Sequence, residues 1–370
     1  MKFMIILKKK DYFFLKNLKN QKMGCCCCKK DKNTESNPIG PIIVESKMGD
    51  FIELKVIGKG AYGKVFLVQK KNTNNLYAMK RIKKSNIKSP KQKEHAINEK
   101  DIQIKLKHPF IVELYFAFQD QNNLYLITEF MQGGQLFTYL SINPQLKNKQ
   151  AKFYLSEIFL ALKYMHENNY IYRDLKPENI LIGKDGHIKL SDFGFSKLLN
   201  DEFTYTICGT PSYEAPEIYK KKGYDKMCDW WSFGIIMFEM LSGYKPFDID
   251  KGNINDDLYN NIVWCDEIKD DAKDLIEKLL VIEPNMRLGY NDINDIGKHQ
   301  FFKDVDFDKV LNKEVEPPFV PDVKDEYDLK YFNSNFTEME LETFTETKIS
   351  GSPGQSNFEG FSYIYNSSKC

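Results

Sequence analysis

Arginine is almost missing from this chain. Of 53 basic residues only Arg81, Arg173 and Arg287 are arginine, and the rest are lysine. A sequence that otherwise chooses lysine keeps arginine where a rigid bidentate fork is required, which singles out those three positions. Long apolar runs are also missing. Phe3 to Leu7 is cut off by Lys8, Lys9 and Lys10, too short for a secretory signal core or a membrane span. Cys208, Cys228, Cys265 and Cys370 lie far apart, with no disulfide-framework or zinc spacing. Without a secretory signal that usage reads as reducing cytosol. The net charge of +1 supplies no global pull toward nucleic acid, so nucleic acid is not an expected partner.

What is there describes a packed protein. Apolar residues make up 42% and aromatics 14% of 370 positions, enough for one large or two ordinary domains. Residues 1–50 are Lys-, Asn- and Cys-rich without periodicity and read as a flexible tail. Between 51 and 302, strand and helix signals follow one another without a structureless gap. Strands are expected at Phe51–Ile57, Lys64–Gln69, Leu76–Ile82 and Leu124–Phe130. Ser89-Pro90 reads as an N-cap with proline at the first helical position, opening a helix to about Leu106. Residues 151–167 and 229–241 have the length and apolarity of buried helices. Strands first and helices later give an α+β class with two unequal lobes. Residues 303–370 are punctuated by Phe319, Tyr331, Phe332, Phe336, Phe358 and Phe361, too many aromatics for a free linker. They are expected to lie on the core.

Chemistry-bearing residues occur in a fixed order. Gly58, Lys59, Gly60, Ala61, Tyr62 and Gly63 lead into Lys64 and Val65. Glycines let a backbone approach phosphates closely, although a dinucleotide-binding turn or a plain hairpin has a similar look. A dinucleotide turn needs a helix next, and Lys64–Gln69 reads as strand. Lys80 closes Tyr77-Ala78-Met79-Lys80. An exposed lysine is the commoner fate, but Glu99 on the next helix offers it a carboxylate. The segment Tyr172-Arg173-Asp174-Leu175-Lys176-Pro177-Glu178-Asn179 is followed by Ser191-Asp192-Phe193-Gly194. Asp174 suits accepting a hydroxyl proton, Lys176 suits neutralising a phosphate, and Asn179 and Asp192 offer the hard oxygens that Mg²⁺ prefers. Any one Asp is plausibly a turn residue; all of them in this order are not.

With these residues the stretch 51–302 resembles the protein-kinase superfamily. The resemblance implies a bilobal fold, a small antiparallel β-sheet lobe with one regulatory helix and a larger helical lobe, with ATP and Mg²⁺ between them. It places the nucleotide against Val65, Ala78, Thr128, Glu129, Met131, Gln135 and Glu178, and Lys80, paired with Glu99, against its phosphates. Ala215-Pro216-Glu217 looks like the end of an activation segment whose glutamate pairs with Arg287. Asp229-Trp230-Trp231-Ser232-Phe233-Gly234 resembles the helix that anchors the catalytic loop. The rivals are a pseudokinase scaffold, which would need a gap in the catalytic set that is not present, and a tyrosine kinase. Asp174-Leu175-Lys176-Pro177-Glu178-Asn179 resembles the Ser/Thr type instead.

Within the superfamily the chain resembles the AGC group, named for protein kinases A, G and C, and closely resembles protein kinase B and the serum-regulated kinases. Thr206-Ile207-Cys208-Gly209-Thr210-Pro211 is similar to that group's activation loop, with Thr206 as phosphoacceptor. The resemblance implies a phosphate clamp from Arg173, Lys197 and His95, the last one turn before Glu99. Pro317-Pro318-Phe319-Val320-Pro321 and Tyr331 to Phe336 resemble tail segments that brace the small lobe. Phe358-Glu359-Gly360-Phe361-Ser362-Tyr363 resembles the hydrophobic motif, with Ser362 as phosphoacceptor and docking point of an upstream activating kinase. Thr343, Thr345 and Ser352 are candidates for the turn phosphosite. Two departures affect substrate choice. Gln135 replaces a glutamate that contacts ribose and a substrate arginine, leaving Glu178 and Glu239 as acidic candidates for a basic peptide. Glu214 replaces a leucine lining the pocket for the residue after the phosphoacceptor.

Met23-Gly24-Cys25-Cys26-Cys27-Cys28-Lys29-Lys30 resembles an acylation signal set inside the chain. Gly24 would be myristoylated if translation starts at Met23, and palmitoylated cysteines would add the second anchor that stable attachment requires. Metal binding and an unmodified tail are the alternatives. Relatives of the protein kinase B type carry a lipid-binding domain in front, and residues 1–50 are too few for one. The expected location is therefore cytoplasmic, with membrane association through lipid, and the expected state is monomeric.

Overall fold

Alternation along two central strands sets up the small lobe. The computed structural model describes residues 46–60, 63–199, 203–206, 208–220, 223–247, 262–341 and 358–365. Ala61, Tyr62, Ile207, Gly24, the run Cys25 to Cys28, Thr343, Thr345 and Ser352 lie outside them. Strands β1 (Phe51–Lys59), β2 (Gly63–Lys70), β3 (Leu76–Lys83), β4 (Leu114–Gln119), β5 (Asn123–Glu129) and, far along the chain, β10 (Tyr363–Ile364) form one antiparallel sheet in the order β1-β2-β3-β5-β4-β10. Successive residues of a strand point to opposite faces. Tyr125 and Ile127 accordingly join Phe51, Phe66, Tyr77, Met79, Phe116 and Phe118 on one face. Leu124 and Leu126 join Ile82, Leu114 and Ala117 on the other.

Each face is covered by something distant in sequence. Met48, Phe336, Met339 and Leu341 pack on the first face. Ala96 of helix α1 (Pro90–Lys105), with Phe358 and Phe361, packs on the second. Helix α1 begins where the sequence predicts: Ser89 accepts from the backbone of Gln92, and Gln92 reaches back to the Ser89 backbone in a reciprocal cap. A short turn over Met48–Asp50 leads into β1, and the Asp50 carbonyl accepts from the Lys71 amide.

The large lobe is built on α3 (Asn148–Glu167) and α5 (Met227–Ser242), with α2 (Leu136–Ile142), α4 (Pro216–Tyr219), α6 (Asp270–Leu279), α7 (Asn294–Gly297) and α8 (Phe307–Leu311) around them. The short pairs β6 (Tyr170–Ile171) with β9 (Lys197–Leu198), and β7 (Ile180–Ile182) with β8 (Ile188–Leu190), frame the loop between them. Helix α5 is largely apolar and buried along most of its length, with Trp230 and Trp231 in the core and Asp229 the one buried carboxylate on it. After α9 (Ser334–Thr337) the described tail runs to residue 341. The tail lies on the core as expected: Phe319 stacks on Tyr139 at 4.7 Å and Phe332 on Phe130 at 5.6 Å.

Arg287 explains one of the rare arginines. Its two terminal nitrogens grip the Glu217 carboxylate at 2.8 and 3.1 Å, and the same guanidinium donates to the carbonyls of Met227 and Val281. The pair is buried, so removing one partner strands the other charge, a loss of about 3–5 kcal/mol. Arg287→Ala should therefore lower the thermal unfolding midpoint by several degrees. Arg287→Lys should recover little of it, because an ammonium cannot serve two carboxylate oxygens and two carbonyls from one plane. Full recovery by lysine in a melting experiment would contradict this account.

Candidate active site

The lid over the cleft comes from the β1–β2 turn. Gly60 donates to the Gly63 carbonyl and closes the hairpin. Position 63 admits only glycine, since a Cβ there would lie 1.8 Å from the carbonyl oxygen of Arg81 on the neighbouring strand. Gly58, Lys59 and Gly60 sit on the lid, Val65 lies in register with Lys80, and Ala78 with Thr128. Thr128 and Glu129 end β5, and Met131 lies in the segment that follows it. The Glu129 carboxylate is taken by Lys189 at 2.7 and 2.8 Å, and its backbone amide donates to the Glu113 carbonyl. Gln135 stands exposed at the start of α2, and Glu178 lies in the turn after the catalytic loop. Behind this segment the tail closes in: a Cβ on Gly134 (φ +72°) would meet the Tyr331 carbonyl, and Gln132 donates to the carbonyls of Asp325 and Asp328.

Lys80 is the centre of the site. Its ammonium lies 2.6 Å from Glu99 Oε1 on α1 and 3.1 Å from Asp192 Oδ1 on the loop after β8. Burial alone would favour a neutral lysine, but the two carboxylates more than offset it and hold the proton firmly. Desolvation likewise works against the Asp192 charge, and Lys80 outweighs it, keeping Asp192 below the usual carboxylate range. Glu99, more deeply enclosed, is pushed up by burial despite the same lysine.

Asp174 is fixed on every side. Asn179 donates to Oδ2 at 2.8 Å and to the Asp174 carbonyl at 2.9 Å. Lys176 and the Thr210 hydroxyl reach Oδ1 at 3.1 and 3.0 Å, and Lys176 also holds Thr210 at 2.7 Å. Burial raises its pKa, with Lys176 and Asn179 pulling the other way. The backbone behind it hangs on Asp229, which accepts from the amides of Tyr172 and Arg173 at 2.9 and 2.7 Å and meets His166 Nε2 at 2.7 Å. Arg173 and Asp192 both adopt positive φ, +70° and +53°, a strained state for residues with side chains that the surrounding bonds enforce.

The residues assigned to regulation gather in part. Arg173 donates to the Phe195 carbonyl at 2.6 Å and to the Tyr224 hydroxyl at 3.2 Å, while the Tyr224 hydroxyl donates to the Thr206 carbonyl. His95 faces the edge of Phe195, its Nδ1 without a partner; burial, with Lys91 and Arg173 nearby, lowers its pKa. Lys197 reaches the Thr204 hydroxyl at 3.3 Å, two residues short of Thr206. Ser362 is exposed between Phe361 and β10. Sequence reasoning missed Tyr224, Thr210 and His166. Tyr224 and His166 stand in no quoted motif, and Thr210 lies in the activation-loop stretch without a role assigned to it, since each acts by where the fold puts one hydroxyl or ring nitrogen.

The donor set suits a divalent cation. Among the described residues no hydrogen bond engages Asp192 Oδ2 or Asn179 Oδ1, leaving two hard oxygens on facing loops. A protein site of one carboxylate and one carbonyl leaves the remaining positions to phosphate and water, as magnesium favours.

Known proteins agree with this geometry. Residues 51–302 match the protein kinase domain, and 323–363 the protein kinase C terminal domain. The chain is 42% identical over 322 residues to a cAMP-dependent protein kinase catalytic subunit of Dictyostelium discoideum, covering 86% of this chain and 48% of that protein. It is 41% identical over 318 residues to the serine/threonine-protein kinase gad8 of Schizosaccharomyces pombe, covering 84% and 55%. The chain thus spans about half the length of these curated relatives. With the human cAMP-dependent protein kinase catalytic subunit PRKX the identity is 40% over 289 residues, covering 77% and 80%. A protein kinase domain implies use of ATP with a divalent metal. On the strength of both domain matches and these relatives, the chain belongs to the protein kinase family, in its AGC group of serine/threonine kinases.

Proposed function

We propose that the protein transfers the γ-phosphoryl group of ATP to serine or threonine hydroxyls of protein substrates. The observation that carries this reading is Lys80 bound at once to Glu99 and Asp192, opposite an Asp174 already fixed by Thr210, Lys176 and Asn179. Asp174 accepts the hydroxyl proton as the substrate oxygen bonds to the γ-phosphorus, and the bond to the β-phosphate oxygen breaks with its electron pair leaving on ADP. Lys80 steadies the α- and β-phosphates and Lys176 the transferred group. Asp192 and Asn179 would hold Mg²⁺, which supplies charge neutralisation on the phosphates. Positioning and electrostatics carry most of the rate.

Substrate choice follows from the buried Glu214 and the half-buried Glu178 and Glu239. Glu178 has an oxygen without a partner and lies in the field of Glu239, whose own carboxylate accepts from the Tyr213 hydroxyl at 2.8 Å. Glu214 is buried, with one oxygen unpartnered, and burial followed by the nearby Asp174 raises its pKa. A cation beside the phosphoacceptor relieves such a group, whereas an apolar side chain leaves it unpaired.

Regulation is proposed to act through phosphate on Thr206 and Ser362, with an upstream kinase docking on the segment around Phe358 and Phe361. Acylation of Gly24 and of Cys25, Cys26, Cys27 and Cys28 beside Lys29 and Lys30 would bring a cytoplasmic, monomeric enzyme to membranes. Incorporation of a palmitate analogue, lost when the four cysteines become serine, tests this; an unlabelled, wholly soluble native protein would refute it.

The decisive assay is phosphate incorporation into a positional Ser/Thr peptide library by Thr206-phosphorylated protein. Asp192→Ala should cut the rate at least roughly 100-fold. No activity from protein that demonstrably binds ATP would overturn the kinase reading. Arginine or lysine after the phosphoacceptor should be favoured over leucine, and Glu214→Leu should reverse that order by roughly tenfold; a strong apolar preference in the unaltered enzyme would remove Glu214 as the selector. Because Asp174 works unprotonated and burial raises its pKa, kcat/KM should fall on acidification through a pKa above the ordinary aspartate value of about 3.9. Lys176→Ala, which withdraws the opposing cation, should move that acid limb to higher pH.

A further inference from the structure

Gln103 lies on α1 one turn beyond Glu99, so the two side chains share a face of the helix. It is 3% exposed, and its Oε1 has no hydrogen-bond partner. Buried amide oxygens are nearly always paired, and one that is not disfavours whatever position of the helix buries it. Flanking it on α1 and just past its end, Ile102 and Leu106 join the core of the large lobe, which contains Tyr172 and Phe193. The helix position that seats those residues and brings Glu99 to Lys80 is therefore the one that strands the Gln103 oxygen.

Other contacts hold α1 in that position. Ala96, Ile97 and Ile104 pack in the cluster that includes Phe358 and Phe361, each of these two only 1% exposed. Lys100 donates to the Gly360 carbonyl at 2.7 Å, and Lys93 and Lys100 lie over the rings of Phe358 and Phe361. Gln119 of β4 donates to the Phe358 carbonyl at 2.7 Å, and β10 pairs with β4 next to it. The far end of the chain thus clamps α1 onto the sheet.

We propose that Gln103 is a counterweight built into α1: its unpaired buried amide oxygen disfavours the helix position in which Glu99 meets Lys80, so that this position is kept only while residues 358–365 are seated on the helix. Gln103 is a positioning residue, acting on Lys80 through Glu99. It makes the pairing conditional on the tail. The activity readout below rests on the kinase reading; the exchange readout does not.

Four forms of the full chain test this: unaltered, Gln103→Leu, Phe358→Ala with Phe361→Ala, and all three together, with Gln103→Met replacing Gln103→Leu in a parallel set. Deuterium exchange of the α1 amides should rise in the double alanine form and fall back when Gln103 is also replaced. In the same background kcat/KM should recover by roughly 5- to 150-fold, the span expected for a coupling of this kind. With the tail seated, the substitution should change kcat/KM by less than about twofold, because the helix is already held. The proposal is overturned if replacing Gln103 leaves α1 exchange in the double alanine form unchanged or faster, or if it shifts both backgrounds equally. Restored exchange protection without phosphate transfer in any form would leave the counterweight standing and remove the kinase reading instead.

Discussion

Lys80, Glu99 and Asp192 come from three separate parts of the chain, and the site exists only where they meet. The ammonium sits 2.6 Å from one carboxylate and 3.1 Å from the other, so β3, α1 and the loop after β8 each fix a corner of one electrostatic knot. Burial makes the Glu99 charge, and in part the Lys80 charge, costly alone, while Asp192 keeps a face open to the cleft. If α1 shifts by a few ångströms, Lys80 loses the partner that aims it, and Asp192 then has a cation free to stray. The sheet, the helix and the tail can be understood as what keeps three charges in register.

The same logic runs behind Asp174. Its carboxylate is addressed by three donors, and its backbone is suspended from Asp229 through the amides of Tyr172 and Arg173. Arg173 and Asp192 are held at positive φ, a conformation that neither residue would choose. Such strain persists because bonds on both sides over-determine the loop. A group that must accept a proton at one point in space gains from having no freedom to be elsewhere. Arg173 also links the loop to Phe195 and Tyr224, and Tyr224 to Thr206, which gives a phosphate on the activation segment a short physical route to the catalytic backbone.

The tail shows how far from the chemistry the controlling contacts lie. Phe332 braces the segment between the lobes, Phe319 packs on α2 of the large lobe, Phe336 covers one face of the small sheet, and Phe358 and Phe361 help α1 cover the other. The small lobe has a thin sheet, and Phe336, Met339 and Leu341 on one face with Phe358 and Phe361 on the other supply part of its core. The position of α1 therefore rests partly on contacts from a segment more than 250 residues away in the chain.

Much of this was legible in the residues alone. The alternation in β3 and β5, the Ser89-Pro90 cap and the order of Lys80, Glu99, Asp174, Asn179 and Asp192 are local or ordinal features, written in spacing that any fold of this chain must respect. Arg173 and Arg287 were legible too, because a planar fork is chosen where several acceptors must be met at once, as at Glu217. Strand β4 was not, since its apolar residues Tyr115-Phe116-Ala117-Phe118 carry no turn signal that separates a strand from a buried helix. Strand β10 was not, since two residues make a strand only against an edge prepared elsewhere. Thr210, Tyr224 and His166 were silent because a hydroxyl or an imidazole acquires a role from its neighbours, not from its position in sequence. Gln103 is the clearest case. In sequence it is one more good helix former, and only packing α1 between the lobes turned its amide oxygen into a buried atom without a partner, because satisfaction of a polar atom is a property of the space around it.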